Sequence, residues 1–221
     1  MKNLFHPDSP VMRFLTTLFN LIILNLLWLL TSLPVITVGA SSSALFSVLF
    51  QYLDQGSDTV LKPYFKAFAV NFKQSTTVWI PILLVSAILS ADALYLTNPA
   101  NQVSELLWIP FILLLLVLLC VTCYVFGLIA RFENTLRDTL RNSVLLFLLN
   151  LFPSISIILV QALPLLVFFI FPSVFIRGGI LWLMLGVSAF AYINASTMLR
   201  IFKKHMDKNH TQENQQHSDT H

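Results

Sequence analysis

The sequence predicts an all-α membrane protein, a bundle of six (alternatively five) transmembrane helices joined by short loops. Of its 221 residues, 57% are hydrophobic and 10% are charged, whereas soluble domains have about 45–50% and about 25%. The mean hydropathy is +0.79. Five apolar stretches reach or approach the ~20 residues that cross a bilayer. Since no polar stretch is long enough for a second core, residues 1–204 are predicted to form one transmembrane domain.

The five apolar stretches are residues 14–33, 76–97, 106–129, 144–171 and 180–199. The first has 20 residues, more than the ~7–15 apolar residues of a cleaved signal peptide, so it is predicted to be a retained helix. The stretch of residues 144–171 has 28 residues and contains Pro153 and Pro164. Because proline kinks or breaks a helix, a bent or tilted helix is expected there, with two shorter helices as the alternative.

Residues 38–53 form a sixth, shorter candidate. Its 16 residues include four serines, and a helix of that length reaches only about 24 Å across a ~30 Å hydrocarbon core. Pro34 disfavours helix at the residue before it, so a hairpin with the first helix is predicted, with Thr37 in its short connection. Gly39 and the serines after it are small enough for close helix packing. We therefore expect a short spanning or re-entrant helix packed on the first.

The distribution of basic residues favours six crossings. With six crossings and a cytoplasmic N-terminus, 12 of the 13 basic residues lie on the cytoplasmic side. If residues 38–53 do not cross, Lys2 and Arg13 move outside and the split becomes 10 to 3. The positive-inside rule prefers the first arrangement, and both place the C-terminus in the cytoplasm. A multi-pass protein of the cell membrane is predicted, with the N-terminus also cytoplasmic.

Residues 62–73 are predicted to form an amphipathic helix lying at the membrane interface. At 100° per residue its phenylalanines share one sector and its lysines a neighbouring one. The residues concerned are Phe65, Phe68 and Phe72, and Lys62, Lys66 and Lys73.

Residues 132–141 repeat this pattern on the next inner loop, with Phe132, Leu136 and Leu140 at four-residue spacing. Glu133 has the helical spacing to pair with Arg137. The polar tail, residues 205–221, is predicted to be disordered and cytoplasmic.

The candidate catalytic residues do not form a usable set. All five histidines lie near the termini and Asp92 is the one acid within a spanning segment, which argues against Ser–His and paired-aspartate mechanisms. Cys120 and Cys123 have no further metal ligand nearby in sequence, and no glycine-rich phosphate loop occurs. We therefore expect no enzymatic activity, no metal and no cofactor. The net charge of +3, spread between apolar runs, is no nucleic-acid signature.

Three groups of polar residues remain as candidates. Asp92 is a functional candidate as an intramembrane acid, although its position near the outer helix end favours a simple interfacial role. Asn194, with other intramembrane amides, favours bridging between helices over lining a substrate path. Arg131, Glu133 and Asn134 lie where a helix leaves the membrane, which favours anchoring over a docking surface.

Four blocks of residues resemble the YesL-like family of bacterial integral membrane proteins, a domain of unknown function. The blocks are residues 32–40 with Ala44 and Leu45, residues 65–68 with 71–74, residues 124–126 with 130–135, and residues 191–194 with Ile201 and Phe202. The resemblance runs, with gaps, from about residue 14 to 204. It implies no catalytic or binding residue, since none is established for the family.

The resemblance also implies an association with carbohydrate-uptake ABC transporters. One hypothesis is therefore a non-enzymatic accessory or regulatory partner of such a transporter, in contact with its permease subunits. The alternative is a small autonomous transporter or channel that acts as a homo-oligomer. In either case the lipid bilayer is the first partner, and no contact with nucleic acid is expected.

Overall fold

The chain is all-α, as predicted. The computed structural model describes residues 9–56, 59–98, 105–170, 173 and 178–219, and every regular element in those ranges is helical. The α-helices are α1 (Pro10–Thr31), α2 (Val38–Gln55), α3 (Leu61–Leu96), α4 (Trp108–Arg131), α5 (Leu136–Leu149), α6 (Leu151–Ile170) and α7 (Gly179–Asp219), with 3₁₀ turns at Val35–Thr37 and Glu105–Leu107.

The predicted hairpin joins α1 and α2. After α1 ends at Thr31, the chain turns through Pro34 and the 3₁₀ turn Val35–Thr37. The Thr37 hydroxyl donates hydrogen bonds to the carbonyl oxygens of Thr31 (2.6 Å) and Pro34 (2.7 Å). The indole N–H of Trp79 donates to the carbonyl of Val35 at 2.7 Å. The bond to Thr31 satisfies a carbonyl that the end of α1 leaves without a helical partner, and the other two satisfy carbonyls of the turn.

Helix α2 is the centre of the bundle and contacts α1, α3, α4 and α7. Eleven of its 18 residues are buried. Together with its 3₁₀ turn it forms a 21-residue stretch, Val35–Gln55, which is long and apolar enough to cross a membrane. The doubt about residues 38–53 is thus removed as far as length is concerned, because the turn before them and Asp54 and Gln55 extend the element.

A close helix contact lies between α2 and α3, at Gly39. Close packing at this glycine was predicted, but against α1, and the structure shows α3 as its partner. A Cβ added to Gly39 would lie 2.7 Å from the Cβ of Trp79 and 2.9 Å from the carbonyl oxygen of Ser75. One turn further along α2, the hydroxyls of Ser43 and Ser75 are hydrogen-bonded at 2.8 Å. Small side chains therefore let the two backbones approach each other, as in other membrane helix pairs.

Residues 62–73 are helical, as predicted, but they do not form a helix of their own; their position at the membrane interface stays a prediction. These residues are the first third of α3, which runs for 36 residues without a break. Tyr64 and Ala67 are buried in the core, and the Tyr64 hydroxyl is hydrogen-bonded to the Thr31 hydroxyl at 2.7 Å. Of the phenylalanine stripe, Phe68 is half-buried and packs against the core, whereas Phe65 and Phe72 are exposed. The sequence contains two overlapping stripes, and the stripe that includes Tyr64 is the more deeply buried.

The long span predicted over residues 144–171 is broken into two helices. Helices α5 and α6 meet at Asn150 with a bend of 106°. Pro153 explains the position of the break, because its ring would clash with the carbonyl of residue 149 in a continuous helix. Ser154 donates to the carbonyl of Asn150 (2.7 Å) and is hydrogen-bonded to the Tyr124 hydroxyl (2.8 Å). The polar groups at the bend are therefore satisfied inside the protein.

The described residues contain five helices long and apolar enough to cross a membrane, or six if the bent pair α5–α6 counts as one span. Helix α7 continues past Lys204 to Asp219, so the tail predicted to be disordered has a helical backbone over most of its length. The separation of that tail from the transmembrane domain stays a prediction.

Candidate functional site

A cavity lies between α2, α3 and the end of α4. It has a volume of about 520 Å³ and opens to the surface. We call it the basic cavity. Its lining residues are Ser47, Gln51, Thr59, Lys62, Pro63, Lys66, Ala67, Val70, Asn71, Ile129, Ala130, Arg131, Phe132 and Glu133. Lys62 and Lys66 therefore line the same cavity as Arg131 and its neighbours, which lie about 65 residues later in the sequence.

The basic residues of the cavity differ in how far they are already engaged. Arg131 donates to the carboxylate of Asp54 at 2.7 Å, and Lys203 contacts the other oxygen of the same carboxylate at 2.7 Å. Lys62 and Lys66 form no ion pair with any described residue, and both are exposed. Among the described residues, Lys62 and Lys66 therefore supply the positive charge of the cavity that no ion pair neutralises.

The Asp54 ion pairs join three helices. Asp54 lies in the last turn of α2, Arg131 ends α4, and Lys203 lies within α7. The Asp54 side chain is 13% exposed and that of Arg131 is 29% exposed, so removing Asp54 would leave Arg131 partly buried and without its described ion-pair partner. The sequence reasoning missed Asp54 and Lys203, although an acid at the end of an apolar segment was a usable signal.

A helical pattern was predicted over residues 132–141, but the helix does not begin at Phe132. Residues 132–135 are extended, and α5 begins at Leu136 with Thr135 as its N-cap, whose side chain accepts from the amide of Asp138. Because Glu133 lies before the cap, its spacing to Arg137 is not the helical one. No Glu133–Arg137 ion pair is found among the described residues, and Glu133 lines the basic cavity instead.

The Asn134 backbone fixes this loop on α3, because its carbonyl accepts a hydrogen bond from the Gln74 side chain at 2.9 Å. The first two turns of α5 then present a mixed basic and apolar face. Arg137 and Arg141 are exposed, and Leu136 and Leu140 beside them are 38% and 39% exposed. We call these four residues the α5 face.

Asp92 lies apart from the basic cavity, on α3 near its end. It is exposed and lines a second cavity of about 280 Å³ together with Tyr95, Phe111 and five apolar residues. One carboxylate in an apolar, open site is what the interfacial interpretation expects. The described contacts bring no second acid or base into this cavity.

The buried amides fall into two kinds. The Asn25 side-chain oxygen accepts hydrogen bonds from the backbone amides of Val187 (2.9 Å) and Ser188 (3.0 Å), which joins α1 to α7. Asn194, on α7, is 2% exposed, and its side-chain oxygen has no hydrogen-bond partner among the described residues. The bridging role expected of such amides is thus seen for Asn25, whereas the oxygen of Asn194 does not perform it.

The described residues contain no group of three or more His, Cys, Asp or Glu side chains that could hold a metal ion. Cys120 and Cys123 are free and buried. Burial among apolar side chains is the ordinary environment of an unreactive cysteine.

Residues 21–93 match a protein family described as a protein of unknown function, DUF624. The match covers about a third of the chain and includes the second half of α1, all of α2 and most of α3. It thus contains the hairpin and the close contact at Gly39, but not the α5 face. No curated protein and no solved structure gives a significant match. The chain is a membrane protein whose activity these comparisons do not name.

Proposed function

We propose that the protein is a non-enzymatic accessory or regulatory subunit that binds a carbohydrate-uptake ABC transporter within the cell membrane. The family resemblance supports the choice of partner. The observation that carries the proposal is the α5 face, which places two exposed arginines and two half-exposed leucines on a helix fixed by its cap and by Gln74. A rigid, positively charged face is complementary to an acidic segment of a partner.

The proposed orientation puts this face in the cytoplasm. The Thr17–Tyr52 hydrogen bond (2.5 Å) places the first turns of α1 beside the end of α2. The Asp54 ion pairs place that end of α2 beside the end of α4 and beside Lys203, at the end of the predicted transmembrane part of α7. Both termini of the transmembrane domain therefore lie at one end of the bundle, which supports an even number of crossings with α5–α6 counted as one. Six crossings with this basic end inside follow from the charge rule.

The test is affinity purification from native membranes in a mild detergent, followed by mass spectrometry. Recovery of transporter permease subunits in stoichiometric amounts is the expected result. Arg137→Glu with Arg141→Glu should reduce that recovery about ten-fold or more, since charge reversal in a polar contact both removes attraction and adds repulsion. The chain itself should still insert and purify as a single species.

The matched control is Lys73→Glu with Lys204→Glu, which changes the charge equally at exposed sites outside the α5 face. Equal loss of partner in both double variants would mean that net charge alone matters and would refute the α5 face as the docking surface. Recovery of the chain alone or as a homo-oligomer would contradict the accessory role. It would favour the autonomous transporter, whose first test is the flux of an Asp92→Asn variant in proteoliposomes.

A further inference from the structure

We propose that the basic cavity is a binding site for the phosphate headgroup of an anionic phospholipid. This proposal concerns a different surface from the α5 face and holds whether or not a transporter partner is found. It starts from an imbalance of charge, because Lys62 and Lys66 have no ion-pair partner among the described residues, whereas Arg131 is engaged by Asp54. A ligand with a negative charge would complete the site.

The polar groups of the cavity suit a phosphate bearing hydroxyl groups. Two ammonium groups and the remaining N–H groups of Arg131 can donate to phosphate oxygens. The amides of Gln51 and Asn71 add donors, and the Glu133 carboxylate can accept from a headgroup hydroxyl. A volume of about 520 Å³ accommodates a glycerol phosphate headgroup, which is smaller than the drug-sized ligands of typical pockets.

The apolar part of the lining distinguishes a lipid from a small soluble anion. Six of the fourteen lining residues are apolar, and one of them, Val70, is 71% exposed. In an α-helix, residues 18 apart return to the same face, because 18 residues make five turns. Lys66 therefore shares its face with Leu84, and Val70 shares its face with Ile88.

Leu84 and Ile88 are 61% and 58% exposed and belong to residues 76–97, the apolar segment predicted to lie in the hydrocarbon core. One face of α3 thus runs from the two free ammonium groups to a surface that acyl chains contact. A lipid bound with its phosphate at Lys62 and Lys66 can lay its chains along this face. Basic pockets beside membrane helices bind anionic headgroups in this way.

The experiment measures retention of phosphatidylglycerol by the purified full chain, by native mass spectrometry and by titration in detergent, with phosphatidylcholine as the comparison lipid. Wild type should bind phosphatidylglycerol at least ten-fold more tightly. Lys62→Gln with Lys66→Gln should weaken it roughly thirty-fold, about five-fold per lysine near a charged lipid surface. The control, Lys73→Gln with Lys204→Gln, removes two charges outside the cavity and should change affinity less than three-fold.

Three results would overturn the proposal. Equal binding of the two lipids would show that the site does not recognise the net negative charge of the headgroup, since both lipids contain a phosphate. Equal loss in the test and control variants would reduce the effect to overall charge. Binding of soluble glycerol phosphate as tightly as of the lipid would show that the apolar face of α3 contributes nothing, and the site would then belong to a free phosphate compound. All four substitutions are at exposed lysines, so folding should be unaffected, which the melting temperature checks.

Discussion

Replacement of Gly39 by alanine tests whether the α2–α3 contact is as tight as the structure shows. The added Cβ would lie 2.7 Å from the Cβ of Trp79 and 2.9 Å from the carbonyl oxygen of Ser75. Neither atom is the end of a flexible side chain, so relief requires the two helices to separate. An ordinary carbon–carbon contact is about 3.5 Å or longer, which means a shift of roughly 0.8 Å at this point.

The magnitude combines three effects. Overpacking of this kind costs about 1–3 kcal/mol. The same shift lengthens the 2.8 Å hydrogen bond between Ser43 and Ser75 and removes part of its ~0.6 kcal/mol, the average value for membrane helices. Alanine restores up to ~1 kcal/mol through its better helix propensity. The net expectation is a loss of about 1–2 kcal/mol, or a fall of roughly 2–8 °C in melting temperature for a chain of this size.

The assay is thermal unfolding of the purified protein in detergent, followed by size-exclusion chromatography of the remaining monodisperse fraction. Gly179→Ala is the matched control, since a Cβ at Gly179 meets no atom within 4 Å. We expect the control to melt at or above the wild-type temperature. If the melting temperature of Gly39→Ala equals that of the control, the backbones of α2 and α3 are farther apart than described and the packing argument fails.

Two further pairs of variants test the polar contacts. Asn25→Leu should destabilise by about 1–3 kcal/mol because it leaves two backbone amides of α7 without their acceptor. Asn20→Leu should be neutral or stabilising, since the buried side-chain nitrogen of Asn20 has no hydrogen-bond partner among the described residues. A larger loss of stability for Asn20→Leu than for Asn25→Leu would contradict these hydrogen-bond assignments. Asp54→Ala should cost about 1–3 kcal/mol by leaving a partly buried arginine unpaired, whereas Lys203→Ala, at a side chain 55% exposed, should cost less than about 1 kcal/mol. Thermal unfolding in detergent measures both pairs, and equal effects of the last two would show that the cluster is solvated.

The all-α membrane fold could be predicted because lipid exposure requires long apolar stretches, and these are visible without knowledge of packing. The hairpin and the close approach at Gly39 were also predictable, since proline and glycine have local conformational and steric effects. The break between α5 and α6 was harder. Two prolines were visible, but Pro153 breaks the helix while Pro164 lies within α6, and the satisfaction of the broken backbone by Ser154 depends on tertiary contacts.

The candidate site was predicted only in part, because it is assembled from residues distant in sequence. Lys62, Lys66, Arg131 and Glu133 were all singled out, but as two separate interfacial groups. Residues 62–73 carry both a phenylalanine stripe and a stripe through Tyr64 and Ala67, and periodicity cannot tell which one is the more deeply buried. The choice depends on Thr31 at the end of α1, whose hydroxyl is hydrogen-bonded to the Tyr64 hydroxyl.

Helix α2 shows why hydropathy is least informative for the most central helix. The most apolar 18-residue window of its span has a mean hydropathy of 1.4, against 3.0 for α4. Yet 56% of that window is buried inside the protein, against 44% for α4. A helix surrounded by other helices contacts little lipid, so its serines need to satisfy only their neighbours. Ser41 and Ser43 donate to α2 carbonyls, and Ser42 accepts from the indole of Trp28. Because that polar surface is tolerable only against α1 and α3, we infer that α2 becomes stable in the membrane together with them rather than alone.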